Sequence, residues 1–141
     1  MTDARALYQA VIVDHDRHPR NAGPLATATH HGAADNPLCG DQVTVHVELT
    51  ADGVLAAITF EARGCALARA AASIMTERVR GLDAAAGRAL AARFAEFVRA
   101  DAAPSNAADL GDLTAFVGVR QFKSRQACAT LPFAALVAAL P

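Results

Sequence analysis

Polar and hydrophobic positions alternate most cleanly over residues 42–50. Val43, Val45, Val47 and Leu49 fall on one side of an extended chain; Thr44, His46 and Glu48 fall on the other. That period of two is what a half-buried strand requires. Asp52-Gly53 follows as a hairpin turn. The return strand sends Ala56, Ile58, Phe60 and Ala62 inward and Ala57, Thr59, Glu61 and Arg63 outward. One dry face and one wet face suit an antiparallel sheet, and His46 on the wet face is expected to be exposed. Residues 25–33 alternate weakly and are expected as an edge strand. His30 and His31 within it point to opposite faces, cannot easily share a metal, and are read as surface residues.

Elsewhere the period is helical. Over residues 3–16, Leu7, Ala10, Val11 and Ile12 recur at helical spacing, with Asp3 as N-cap and Pro19 as stop. The charged run from Asp14 to Asn21 reads as a solvated helix end, where a cationic His15 or His18 suits the dipole. From Cys65 to about Arg80, the stripe of Leu67, Ala71, Ile74, Met75 and Val79 reads as core. Gly81-Leu82-Asp83 ends that helix, and Asp83 caps the next, over residues 84–100, which buries Leu90, Phe94, Phe97 and Val98. Residues 102–112 read as a loop, then a short helix around Leu113, Phe116 and Val117 stops at Gly118. The last helix covers residues 124–140. Pro132 inside it removes the bond to the Cys128 carbonyl, so a kink is expected there. No internal repeat or linker divides the chain, and residues 1–141 are read as one domain.

Composition changes this picture little. The hydrophobic fraction of 53% overstates the core, because alanine dominates it and buries little surface. The formal net charge of −1 excludes an electrostatic footprint for nucleic acid or anionic lipid. The N-terminus lacks the apolar stretch of a signal peptide, and the apolar run from Ala129 to Leu140 is broken by Thr130 and Pro132 and too short to span a bilayer. No nucleic-acid or membrane partner is therefore expected, and the chain reads as cytoplasmic. Its three cysteines cannot all pair with one another, and a reducing compartment keeps them as thiols.

Each cysteine sits at an element boundary. In Asp35-Asn36-Pro37-Leu38-Cys39-Gly40-Asp41, Pro37 fixes its own φ and Gly40 permits a sharp turn, so that Cys39 and Asp41 can converge at a loop tip. Cys65 falls in the first turn of one helix and Cys128 near the first turn of the last, where the helix dipole favours thiolate. Three thiolates and the Asp41 carboxylate satisfy tetrahedral zinc. Three cysteines packed as small hydrophobes are the plainer alternative. No C-x-x-C pair is present to decide by spacing alone.

Three motifs go further. Asn36-Pro37-Leu38-Cys39-Gly40-Asp41, then Gly64-Cys65-Ala66-Leu67 with Ala72-Ser73-Ile74-Met75-Thr76, then Arg125-Gln126-Ala127-Cys128-Ala129-Thr130-Leu131 resemble the U-type iron–sulfur assembly family. Leu7-Tyr8, Asp14-His15 and Pro19-Arg20-Asn21 match it as well, so the resemblance runs over nearly the whole chain. It is nearer the SufU branch than the IscU branch. IscU-type scaffolds carry a histidine before the third cysteine, where Ala127 stands here, and a proline-rich motif where Val119-Arg120-Gln121-Phe122-Lys123 stands. The stretch from Gly81 to Val119 also resembles the segment that separates the second and third cysteines in SufU. A basic residue is usual in SufU where this chain has Ala127; Arg125 does match.

The resemblance implies an α+β fold, a small three-stranded antiparallel sheet with helices packed on one side. It implies zinc held by Cys39, Asp41, Cys65 and Cys128, and sulfur transfer from the persulfide of a pyridoxal-phosphate cysteine desulfurase of the SufS type to Cys39, for use by a downstream iron–sulfur assembly scaffold. Arg125 would balance the site's charge or steady the persulfide. The competing expectation is an IscU-like scaffold holding iron or a transient [2Fe–2S] cluster on the same thiolates. A third is a purely structural zinc.

Overall fold

The computed structural model describes residues 4–38, 40–99 and 107–141. Helix α1 (Ala4–Arg17) leads to three strands, β1 (His30–Asn36), β2 (Asp41–Leu49) and β3 (Leu55–Arg63). Helices α2 (Ala66–Val79) and α3 (Ala84–Arg99), a 3-10 segment (Ala107–Gln121) and α4 (Lys123–Ala139) follow. The strands form one antiparallel sheet in the order β1-β2-β3, so the strand with the clearest alternation is the central one. Val43, Val45 and Val47 expose no surface. Each contributes about 1.5–3 kcal/mol on burial. They meet a core that holds Ala71, Ile74 and Met75 of α2, Phe94 of α3 and Phe133 and Leu136 of α4. The expected α+β architecture, with helices on one face of the sheet, is the one found.

Phe94 knits the helical layer together. Its ring centroid lies 4.9 Å from Phe133, 5.7 Å from Phe116 and 6.5 Å from Phe97, within the range of favourable aromatic pairs. Asp83 caps α3 as expected, its Oδ1 accepting the Ala86 N–H at 2.7 Å. Helix α4 runs through Pro132 as one element. The Asp3 cap and the loop at residues 102–106 lie outside the described residues. From Ala107 onward the expected loop is a 3-10 segment, interrupted only by Gly111 at φ 56°, ψ −131°. It continues past Gly118 to Gln121.

Three strand expectations are corrected. The first strand is His30–Asn36, not residues 25–33. Its hydrophobic signal is weak because it packs on α4 through bare backbone at Gly32. A Cβ there would strike the Ala135 carbonyl and the Ala139 amide and lie 2.8 Å from the Ala138 carbonyl carbon. Ala56 is exposed and Leu55 takes the buried place, because a register irregularity at Glu48/Leu49 shifts the start of β3. His46 is not exposed: its side chain is 12% accessible and bonded at both ring nitrogens.

In the charged run at the end of α1, Asp14, Arg17 and His18 are exposed as expected, but His15 is not at a solvated position. His15 is 3% exposed, with Nδ1 2.7 Å from the buried Ser73 Oγ. Ser73 Oγ accepts the Arg20 N–H at 2.8 Å, so its own proton goes to His15. Burial, followed by the Arg20 charge, lowers the His15 pKa and keeps the ring neutral, against the opposing pull of Glu77, Asp14 and Asp112. Asn21, at φ 62°, donates to Thr76 Oγ1 at 3.0 Å. Around it, the chain covers the outer edge of β3. Phe60 N–H donates to the Asn21 carbonyl at 3.0 Å and Gly23 N–H to the Phe60 carbonyl at 2.8 Å. This segment satisfies the sheet edge at Phe60.

Candidate metal centre

The hairpin between β1 and β2 begins at the proline-containing motif. Asn36, the last residue of β1, pairs with Asp41, the first of β2. Its carbonyl accepts the Gly40 N–H at 2.8 Å, and its side-chain oxygen accepts the Leu38 N–H at 3.2 Å. Gly40 takes φ 73°, a left-handed value that glycine adopts freely. Leu38 is 93% exposed. Cys39, between them, lies outside the described residues.

Asp41 was expected at the tip of this loop; it sits instead at its base and is 2% exposed. A carboxylate so buried needs partners. Its Oδ1 accepts the Cys65 N–H at 2.9 Å, and its Oδ2 accepts from the Cys128 thiol at 3.1 Å. Cys65 is the N-cap of α2, with Sγ accepting the Ala68 N–H at 3.5 Å. Cys128, the sixth residue of α4, is buried. One ligand atom from each of Asp41, Cys65 and Cys128 lies within 4.8 Å of the others.

Gly64 makes the convergence possible; sequence reading placed it in the second motif but gave it no role. It adopts φ 112°, and a Cβ on it would fall on the Asp41 carboxylate, 3.0 Å from Asp41 Cα. The signal was present as a glycine at the strand-to-helix junction, just before a cysteine.

Arg125, the other residue singled out from the sequence, is exposed on the first turn of α4. Its guanidinium lies 4.5 Å from the centre of the Phe122 ring, a cation–π contact.

The donor set bears on the two readings of the cysteines for this pair. An apolar cysteine has no reason to be buried against a carboxylate, as Cys128 is. Two sulfurs and a carboxylate oxygen are the donors zinc takes in a tetrahedral site. The Cys128 thiol donates to the carboxylate, and a cation would take the place of its proton. The three residues therefore fit zinc.

Comparison with known proteins gives a consistent result. The NifU-like N-terminal domain matches residues 7–129. The zinc-dependent sulfurtransferase SufU of Bacillus subtilis is 35% identical over 130 residues, which is 92% of this chain and 86% of that protein. The iron–sulfur cluster assembly scaffold protein IscU of Streptococcus pyogenes is 34% identical over 134 residues, 95% of this chain and 82% of that one. In fold, the chain is similar to the crystal structure of a putative iron–sulfur assembly scaffold protein for the SUF system from Fervidobacterium islandicum. The TM-score is 0.86 at 22% identity, over 99% of this chain and all of that one.

Proposed function

Because the chain belongs to the family of NifU-like N-terminal domains, we propose that it serves iron–sulfur cluster assembly as a zinc-dependent sulfurtransferase. It accepts persulfide sulfur from a cysteine desulfurase of the pyridoxal-phosphate type, in the cytoplasm, and hands it to a downstream assembly scaffold. The observation that carries this reading is the meeting of Asp41, Cys65 and Cys128 within 4.8 Å, with a third cysteine, Cys39, two residues before Asp41 in the sequence.

Cys39, Asp41, Cys65 and Cys128 are the proposed ligands. Zinc bound by them would hold the cysteines as thiolates at neutral pH. Cys39 is the proposed sulfur acceptor because it stands in the first of the three family-like motifs, Asn36-Pro37-Leu38-Cys39-Gly40-Asp41, and Cys128 is buried. Its thiolate attacks the terminal sulfur of the desulfurase persulfide. A new S–S bond to Cys39 forms as the partner's S–S bond breaks, and the partner's cysteine leaves as thiolate. The exchange needs no oxidant. Asp41 keeps the Cys65 amide fixed, and so holds the start of α2 against the sheet. Arg125, exposed beside Cys128 on α4, is proposed to balance the negative charge of the arriving persulfide.

Replacing Cys39 by Ala tests this directly. The variant is expected to remain folded, accept no sulfur, and fail to stimulate a desulfurase. Undiminished stimulation would overturn the proposal. The 34% identity to IscU of Streptococcus pyogenes favours a second reading, a scaffold that assembles a [2Fe–2S] cluster. Anaerobic reconstitution with iron and sulfide separates the two: a stable cluster that transfers to an apo-ferredoxin would favour the scaffold.

A further inference from the structure

The wet face of the sheet holds a cluster that the thiol centre does not use. His31 of β1 and His46 of β2 are direct cross-strand partners, and their Nδ1 atoms face each other at 2.7 Å. The rings stand at 80° with centroids 4.9 Å apart. On the far side of His46, Nε2 lies 2.7 Å from Glu61 Oε1 of β3. We propose that His31 and His46 form a second metal site, for a borderline divalent transition ion such as nickel, copper or zinc, with Glu61 orienting His46 from behind.

The tautomers argue for it. A carboxylate accepts, so His46 Nε2 carries the proton, and in the neutral ring Nδ1 is left with a lone pair aimed at His31. A histidine whose second nitrogen donates to a carboxylate is the arrangement that orients metal-binding imidazoles and raises their basicity. His31 Nδ1 points at the same spot. One proton lies between the two nitrogens, and a cation would replace it. Metal–nitrogen bonds of about 2.0–2.1 Å set tetrahedral ligands about 3.3 Å apart, so the rings need part by only about half an ångström. Imidazole donors suit zinc, copper and nickel better than magnesium or calcium. His31 is exposed, which leaves a way in for the ion and room for water at its other positions. The site is also separate from the thiol centre, since His46 is five residues along β2 from Asp41, a run of about 17 Å.

The test uses the full chain already loaded with zinc at its thiol centre. Nickel(II) is titrated in and followed by equilibrium dialysis, by paramagnetic broadening of backbone amide signals, and by zinc content. The expected result is one nickel per chain in addition to the zinc, with broadening centred on His31 and His46. His31→Ala, at an exposed position, and His46→Ala should each weaken nickel binding more than about ten-fold. Glu61→Gln, which spares both ligands, should weaken it about ten-fold. Zinc content should stay unchanged throughout. No added nickel in the unaltered protein would leave the pair as a hydrogen bond only and overturn the proposal. Nickel binding as tight in either alanine variant as in the unaltered protein, or nickel gained only as zinc is lost, would overturn it as well.

Discussion

Two buried polar clusters tie this chain together, and they are built on opposite principles. One joins α1 to α2: His15 and Ser73, 58 residues apart, with Arg20, Asn21 and Thr76 around them. The other joins β2 to α2 and α4: Asp41 with Cys65, 24 residues away, and Cys128, 87 away. In the first, acceptors meet donors. Ser73 Oγ takes the Arg20 N–H and gives to His15; Thr76 Oγ1 takes from Asn21 and gives to the Ser73 carbonyl at 2.7 Å. In the second, a carboxylate and two sulfurs crowd together, and thiols are weak donors. A network of matched donors and acceptors locks two helices. A carboxylate and two sulfurs brought together are a donor set that fits a cation.

The largest effect that tests this contrast is the loss of the metal. Asp41→Ala is expected to reduce zinc in the purified protein to a trace, more than the ~10–100-fold loss of affinity that a supporting residue costs. It also removes the acceptor of the Cys65 amide, at a cost of about 1–3 kcal/mol in stability. Elemental analysis and thermal denaturation read the two separately. Full zinc in that variant would make Asp41 a structural acceptor like Ser73, and the contrast would vanish.

Gly64→Ala should come next, although it alters no ligand. The left-handed φ of 112° alone costs a non-glycine residue about 1–3 kcal/mol, and the new methyl group would displace the Asp41 carboxylate. Lower stability and lower zinc content should appear together. Ser73→Ala should do the reverse. It leaves the Arg20 N–H and His15 Nδ1 without their partner, at about 1–3 kcal/mol, while zinc content stays at that of the unaltered protein. A Ser73 variant that loses zinc would show that the two clusters are coupled through α2.

The contrast also explains what sequence alone could show. The central hairpin and the amphipathic helices were legible because Val43, Val45, Val47 and the stripe of α2 bury side chains, and burial leaves a period in the sequence. β1 was displaced because at Gly32 it buries backbone against α4, which leaves no hydrophobic trace. Asp41, Cys65 and Cys128 were legible by residue type and by motif. His15 was not: a histidine in a charged run has the same composition whether it faces water or lies over a buried serine 58 residues on. His31 was read against its sequence neighbour His30, and His46 by itself on the wet face, whereas the relation of His31 to His46 runs across strands and depends on a register that the weak β1 pattern did not fix.

The smallest expected effect concerns protons at the matched cluster. The His15 pKa is lowered from 6.5, chiefly by burial and then by Arg20. The unfolded chain therefore binds the proton first as pH falls, and the stability contributed by neutral His15 is complete above about pH 6.5 and declines below it. Acid also protonates the thiol centre, so a simple melting curve would mix two losses. The useful quantity is the stability difference between the unaltered protein and His15→Gln, measured at each pH with zinc content tracked. That difference should shrink as pH drops below about 6.5, because only the unaltered protein has the His15 contribution to lose. A difference that grows in acid would mean that His15 takes its proton while folded and pairs with Glu77, whose Oε1 is 3.8 Å from Nε2. The α1–α2 cluster would then be held by charge rather than by matched neutral donors and acceptors.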